Sequence, residues 1–490
     1  MSEPTRRSIA RRLAGAAGVY GVAFLAPRVL RFVIIPLVVA AVGFGAYGTF
    51  VLVSLIIPFV HVACELGMGT AALRLAPHEP PERRASVFAS VIAARAVVAV
   101  IAAGLLVLAS APLSRLTTGS ADASFAVVFT AVTLVPFTLT TAFADQLRNE
   151  ERHSTLARLV VVRELIEAAL MFVLVIALRD GLRGLLVSRL CAEIALVLLM
   201  AASCRHTFRA RPSLSMIGTL ARLGAPIAFL YLLVCLRDLD RYLIKAILGV
   251  ADAGRYDLAL RIVGPVALGN AALAMVFEPF AFRMYANPAA GEIIAMFLRV
   301  YVVGFGTMAF AAAAVAPEVF PLLSPGAAPA AAVIAPALIF AFVGDGVLRV
   351  AGIGADFAKR TGAWIVVAAS HLLVALPVTW LLLRTLGIFA AGAALLAGTL
   401  VASEVAFAFS RRLYPLELPV HRALAVIVVG VTSMTLLVGG AGVVAPLPMR
   451  LAAIPFFLAA AWAITGLRGR DAVEVLAAAG SMATVQGKTR

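Results

Sequence analysis

Arg237, Asp238, Leu239, Asp240 and Arg241 stand in a row near the centre of a stretch that otherwise reads as a membrane span. Only Lys245 adds a further charge across 224–236 and 242–250. A charge at the bilayer centre costs about 2.5–3.5 kcal/mol on insertion scales. Four of them within five positions demand a wet cavity or mutual pairing, and such a cluster points to a substrate or ion pathway. Arg237, Asp240 and Arg241 share a helical face by their spacing. Asp238 projects about 200° away from Asp240 at 100° per residue, so in a regular helix the two do not serve one site. Asp240 has two readings. It holds Arg237 and Arg241 in place, or it binds a proton or Na⁺ that drives a cycle.

The rest of the chain must supply the membrane frame for such a cluster. It has 490 residues, 63% of them hydrophobic and 13% charged, with a mean hydropathy of +1.03. Soluble domains carry about 45–50% apolar and about 25% charged residues, so this is an all-α integral membrane protein. The net charge of +16 lies mostly in short loops on one side. With no aromatic-interleaved basic patch, nucleic acid is excluded as a partner. Cys64, Cys191, Cys204 and Cys235 lie in or beside apolar stretches without CxxC spacing, and read as small packing residues. No metal site, nucleophilic triad or phosphate-binding glycine loop emerges, so no cofactor is expected.

At about 20 apolar residues per span, about fourteen candidates emerge. They run over 13–41, 46–76, 86–111, 123–145, 157–178, 184–204, 218–249, 256–285, 293–316, 328–354, 362–383, 388–410, 422–440 and 448–467. Arginine and lysine concentrate in alternate connections, which by the positive-inside rule are cytoplasmic, and both termini fall on that side. No connection is long enough to fold as a domain, which argues for transport over an envelope-assembly enzyme. At an offset of 209 residues Gly15 aligns with Gly224, Arg28 with Arg237, Gly45 with Gly254, Tyr47 with Tyr256 and Arg74 with Arg283. That is a parallel repeat about an axis along the membrane normal. The expected organisation is a six-helix lobe over 1–204, a cytoplasmic linker over 205–217 and a pseudosymmetric six-helix lobe over 218–412. Two further helices over 413–468 and a cytoplasmic tail over 469–490 complete it, with the lobes around a central cavity.

Phe44-Gly45-Ala46-Tyr47-Gly48, followed by Glu65-Leu66-Gly67-Met68-Gly69-Thr70-Ala71 and Arg74, resembles the opening of Wzx-type polysaccharide flippases. Those belong to the superfamily that also holds the MATE exporters and the lipid II flippase. Asp240-Arg241-Tyr242-Leu243 with Gly249 and Gly254-Arg255-Tyr256 resembles that family's signature across spans 7 and 8, and Glu278-Pro279-Phe280 resembles the polar-Pro-Phe turn that follows. The resemblance implies a bacterial inner-membrane protein that moves a polyprenyl-pyrophosphate-linked oligosaccharide from the cytoplasmic to the outer leaflet. Membrane lipid, and a polysaccharide polymerase or glycosyltransferase, are its implied partners.

A pyrophosphate is best held by fixed guanidinium groups. Arg28 and Arg31 share a face of span 1, and the repeat makes Arg28 the counterpart of Arg237. The expected substrate-binding set is Arg28, Arg31, Arg237, Asp240, Arg241, Arg261 and Arg349, with Asp240, Asp345 and Glu65 as ion-coupling candidates. Arg349 has Asp345 four residues earlier, so an intrahelical pair competes with the cavity role. Arg163 with Glu167 and Arg189 with Glu193 repeat the i, i+4 pattern and read as structural pairs. The alternatives are a cation-coupled multidrug exporter of the MATE type, whose cargo would favour acidic and aromatic cavity residues, and a lipid II flippase.

Overall fold

The computed structural model describes residues 30, 32–285, 287–323, 328–360, 362–440 and 444–469, and among these it holds helices and no strand. Arg28 and Arg31, with most of the expected first span, lie outside them. Eleven helices among the described residues are long and apolar enough to cross a membrane, against the fourteen spans expected. Part of the difference has a simple cause. The expected fifth span is helical over His153–Leu170 and continues as a wider π-helix over Met171–Ala177, but it carries Arg158, Arg163, Glu164 and Glu167. The expected eighth lies in the helix Val250–Arg283.

The described residues fall into two compact units, divided between Leu258 and Ala259. In the N-terminal unit, α1 runs over Phe32–Glu65. Gly43 sits inside it at φ +78°, where the sequence puts the connection between spans 1 and 2; a glycine takes that left-handed backbone at little cost. Then come α2 (Met68–Leu75), α3 (Pro81–Leu108), α4 (Ser110–Thr118), α5 (Ser124–Asn149), α6 (His153–Leu170) and α7 (Gly181–Ser203). Helix α8 (Leu214–Leu236), a 3₁₀ turn over Arg237–Leu239, α9 (Asp240–Leu248) and the start of α10 (Val250–Arg283) complete the unit.

Between helices in lipid there is little hydrophobic drive, and association rests on close backbone approach through small residues. The two motifs singled out above do this. A Cβ on Gly48 would lie 2.1 Å from the Val250 carbonyl oxygen, and one on Gly254 would lie 2.8 Å from that of Phe44, so α1 and α10 touch through bare backbone. Leu66 and Gly67 take left-handed backbone at φ 47° and 66° and break α1 from α2. A Cβ on Gly67 would lie 2.1 Å from the Gly224 carbonyl oxygen on α8. Beyond that break Met68, Ala71 and Ala72 pack with Phe88, Val91, Ala142 and Leu220 from α3, α5 and α8. Cys204, just past α7, is buried, and burial together with the nearby Glu150 carboxylate pushes its thiol up to about 12. It is therefore protonated and inert at neutral pH.

The C-terminal unit holds the rest of α10, then α11 (Ala290–Leu323), α12 (Ala328–Ala351), α13 (Gly362–Leu386), α14 (Phe389–Leu413), α15 (Val420–Thr435) and α16 (Leu447–Thr465). Helix α14 packs on both α12 and α13, while α15 and α16 pack on α11. Arg450, in the first turn of α16, is 2% exposed and pairs with Glu318 of α11 through two of its nitrogens, which ties the start of the last span to α11.

Within the motif Gly45-Ala46-Tyr47-Gly48, the two glycines should respond oppositely to alanine. Gly48→Ala forces a methyl into the Val250 carbonyl and should destabilise by about 1–3 kcal/mol. Gly45 has nothing within 4 Å of its absent Cβ, so Gly45→Ala should be neutral or stabilise by up to ~1 kcal/mol. Thermal unfolding of the two variants in one detergent reads the contrast; equal melting temperatures would remove the close-approach role of Gly48.

Candidate functional site

The charged row sits at the junction of α8 and α9, and the junction does not continue the α-helix. Arg237–Leu239 form a 3₁₀ turn, which winds the chain at three residues per turn rather than 3.6. That tightening changes the geometry. Arg241 Nη1 donates to Asp238 Oδ1 at 2.8 Å and to Asp240 Oδ1 at 2.9 Å, and Nε donates to Asp257 Oδ1 of α10 at 3.3 Å. The expectation that Asp238 and Asp240 cannot serve one site is therefore corrected, because it assumed a regular helix through 238–240. Two tyrosines complete the set. Tyr256 donates to Asp240 Oδ2 at 2.7 Å, and Tyr47 of α1 donates to Asp257 Oδ2 at 2.8 Å. The Arg241 guanidinium also lies 5.7 Å from the Tyr256 ring centre, within cation–π range.

Asp240 and Asp257 are buried, and leaving either unpaired would cost several kcal/mol. Here each carboxylate takes one charged donor and one phenolic donor. Arg237 lies on the flank, half-buried, within electrostatic reach of Asp238. Even so, Arg241 faces three carboxylates. The site can therefore hold α1, α9 and α10 in fixed register.

A second charged set lies deeper in the same unit. Arg95 of α3 is fully buried. Its Nη2 donates to Glu65 Oε1 at 3.0 Å, and both terminal nitrogens reach Asp145 Oδ2 of α5 at 3.3 Å. Arg148 donates to the other oxygen of Asp145 at 3.1 Å. His61, one turn before Glu65, lies 3.5 Å from Glu65 Oε2 and 3.1 Å from Thr138 Oγ1. Gly69 is part of this site, since a Cβ there would lie 2.1 Å from Asp145 Oδ2 and 2.4 Å from Arg95 Nη2. The Leu66–Gly67 break sets that glycine beside the ion pair.

Sequence reasoning found Glu65 and missed Arg95 and Asp145. The available signal was Arg95 alone in the middle of an apolar span, where a charge needs a partner. Asp257, next to the Tyr256 of the motif, was missed as well.

The other expected residues are placed as follows. Arg163 pairs with Glu167 at 2.9 Å as its spacing implies, but it also takes Glu164 and, at 2.7 Å, Glu193 of α7. Arg349 of α12 pairs with Glu278 of α10, which gives the Glu278-Pro279-Phe280 turn a specific partner. Arg261 and Asp345 belong to the C-terminal unit, whereas Arg237, Asp240, Arg241 and Glu65 belong to the N-terminal one. No group of three or more His, Cys, Asp or Glu among the described residues has the arrangement to hold a metal ion.

A family model described as "Polysaccharide biosynthesis protein" matches residues 43–323. No curated protein matches the chain in sequence. Among solved structures, the lipid II flippase MurJ in an inward closed conformation is similar at 11% identity and a TM-score of 0.68, over 91% of this chain and 97% of that one. A multidrug resistance MATE family transporter of the MOP superfamily, inward-facing, is similar at 15% identity and 0.65, over 80% and 97%. The Vibrio cholerae MATE transporter VcmN in its bent form is similar at 16% identity and 0.57, over 88% and 98%. At these identities the likeness is one of fold.

The two ion sets should be stability determinants of the N-terminal unit. Arg95→Ala and Arg241→Ala each strip buried carboxylates of their charged donor and should cost about 3–5 kcal/mol. Tyr47→Phe removes one phenolic donor from Asp257 and should cost about 1–2 kcal/mol. Thermal melting of the purified variants checks the order, and an Arg95→Ala protein as stable as wild type would contradict it.

Proposed function

The chain belongs to the polysaccharide biosynthesis protein family, and from that premise we propose that it is a flippase for a polyprenyl-pyrophosphate-linked oligosaccharide. It works by alternating access, moving the cargo from the cytoplasmic to the outer leaflet for assembly of O-antigen, capsule or exopolysaccharide. In this reading the protein sits in the bacterial inner membrane with both termini in the cytoplasm, as the loop arginines favour. It forms no covalent intermediate with its cargo. It hands the flipped unit to a polymerase or glycosyltransferase.

The observation that carries the reading is the charged row at the α8–α9 junction. The 3₁₀ turn presents Arg237 on one flank while Arg241 takes the three carboxylates. Arg237 then serves the pyrophosphate together with Arg28 and Arg31, and Asp238, Asp240 and Asp257 hold Arg241 in place. Arg261 and Arg349 are further anion-binding groups in this reading. Preorganised guanidinium groups suit an anion that must be bound and then released without chemistry. The three carboxylates gathered at Arg241 favour a second reading, a cation-coupled exporter with Asp240 as the coupling group, beside Glu65 and Asp345.

Cells lacking the gene, complemented with wild type or with Arg237→Ala, separate the two. The flippase reading expects the complete lipid-linked oligosaccharide to accumulate on the cytoplasmic leaflet. Wild type should clear it, and Arg237→Ala should clear it at least about tenfold more slowly at equal protein level. An unchanged pool with raised sensitivity to cationic drugs would replace the flippase with the exporter.

A further inference from the structure

A cavity of about 1080 Å³ opens in the C-terminal unit where three helices end. Arg299 comes from α11, Arg422 from the first turn of α15 and Arg468 from just beyond α16. Glu292 and Glu417 also line it, and both are exposed. Among the described lining residues, three guanidinium groups stand against two carboxylates. The starts of α11 and α15 add the partial positive charge of their unsatisfied N–H groups. Arg422 is held close over bare backbone, since a Cβ on Gly466 would lie 3.1 Å from its Nη1.

The depth of the groove narrows the choice of ligand. Helices α11 and α16, and α15 with its continuation to Gly439, are long and apolar enough to span a membrane, and the groove lies at the start of two of them and the end of the third. That is the level of lipid head groups. Met296 and Leu416 supply apolar wall beside the arginines, which suits a glycerol backbone entering with its phosphate. Guanidinium forks match phosphate oxygens in pairs, and basic pockets between spans are recurrent head-group sites.

We propose that this groove binds the phosphodiester head group of an anionic glycerophospholipid, with Arg299, Arg422 and Arg468 as its phosphate ligands. The site is separate from the charged row of the N-terminal unit and stands whatever cargo the protein carries. A bound lipid here would staple α15 and α16 to α11 at their ends, beside the contacts those helices already make.

The test uses the full-length protein, purified in a nonionic detergent and titrated with phosphatidylglycerol or phosphatidylcholine, with binding read by native mass spectrometry. Phosphatidylglycerol should bind at least about tenfold more tightly than phosphatidylcholine, and Arg299→Gln with Arg422→Gln should lose about tenfold or more of that affinity. If the double variant does not fold, Arg422→Gln alone reads the same site, because Arg422 is exposed and its loss should leave the lipid-free melting temperature unchanged. Equal binding of the two lipids, or wild-type affinity in the variants, would overturn the proposal. Displacement of phosphatidylglycerol by millimolar inorganic pyrophosphate would also overturn it, in favour of a soluble phosphate ligand.

Discussion

A guanidinium placed among membrane-spanning helices has to bring its counter-charges with it, because hydrocarbon offers no water to complete its shell. Among the described residues of the N-terminal unit this requirement recurs three times. Arg241 collects carboxylates from its own turn and from α10, Arg95 collects them from α1 and α5, and Arg163 collects them from its own helix and α7. In each case one arginine meets two or three acids from more than one helix. Rotating or sliding any of those helices would expose an unpaired charge. Charge satisfaction therefore sets their register more sharply than the non-directional packing of apolar side chains does.

Close backbone approach makes those ion sets reachable. Gly48 lets α1 rest on the start of α10, and from there Tyr47 reaches Asp257. The break at Leu66 and Gly67 ends α1 one residue after Glu65 and brings Gly69 against Arg95 and Asp145. The glycines and the charges of these motifs thus belong to one construction. A methyl group at either glycine would hold apart the helices whose carboxylates and phenols must meet.

The same construction separates fixed charge from charge available to a ligand. Arg241 is committed to carboxylates on several sides, so its role is to tie α9 to α10. A transporter needs both kinds of group: pillars that keep the helices in register through the cycle, and ligands that can exchange one partner for another.

Much of this was legible in the chain itself. Long apolar runs with arginine in alternate loops are enough to specify a polytopic helical protein, because a continuous apolar run of that length satisfies its own backbone within lipid only as a helix. The motif glycines, the charged row at 237–241 and Glu65 could be singled out because charge and glycine are rare and costly in such runs. What the sequence could not supply was partnership across helices. Arg95 lies 30 and 50 residues from Glu65 and Asp145, and Asp257 lies 210 residues from Tyr47, so no local spacing links those groups. Nor could it supply the 3₁₀ turn at Arg237–Leu239, which brings Asp238 and Asp240 onto one nitrogen of Arg241. Local spacing reports which charges share a helix face; only the tertiary fold decides which charges from different helices share a site, since that depends on how closely the backbones between them approach.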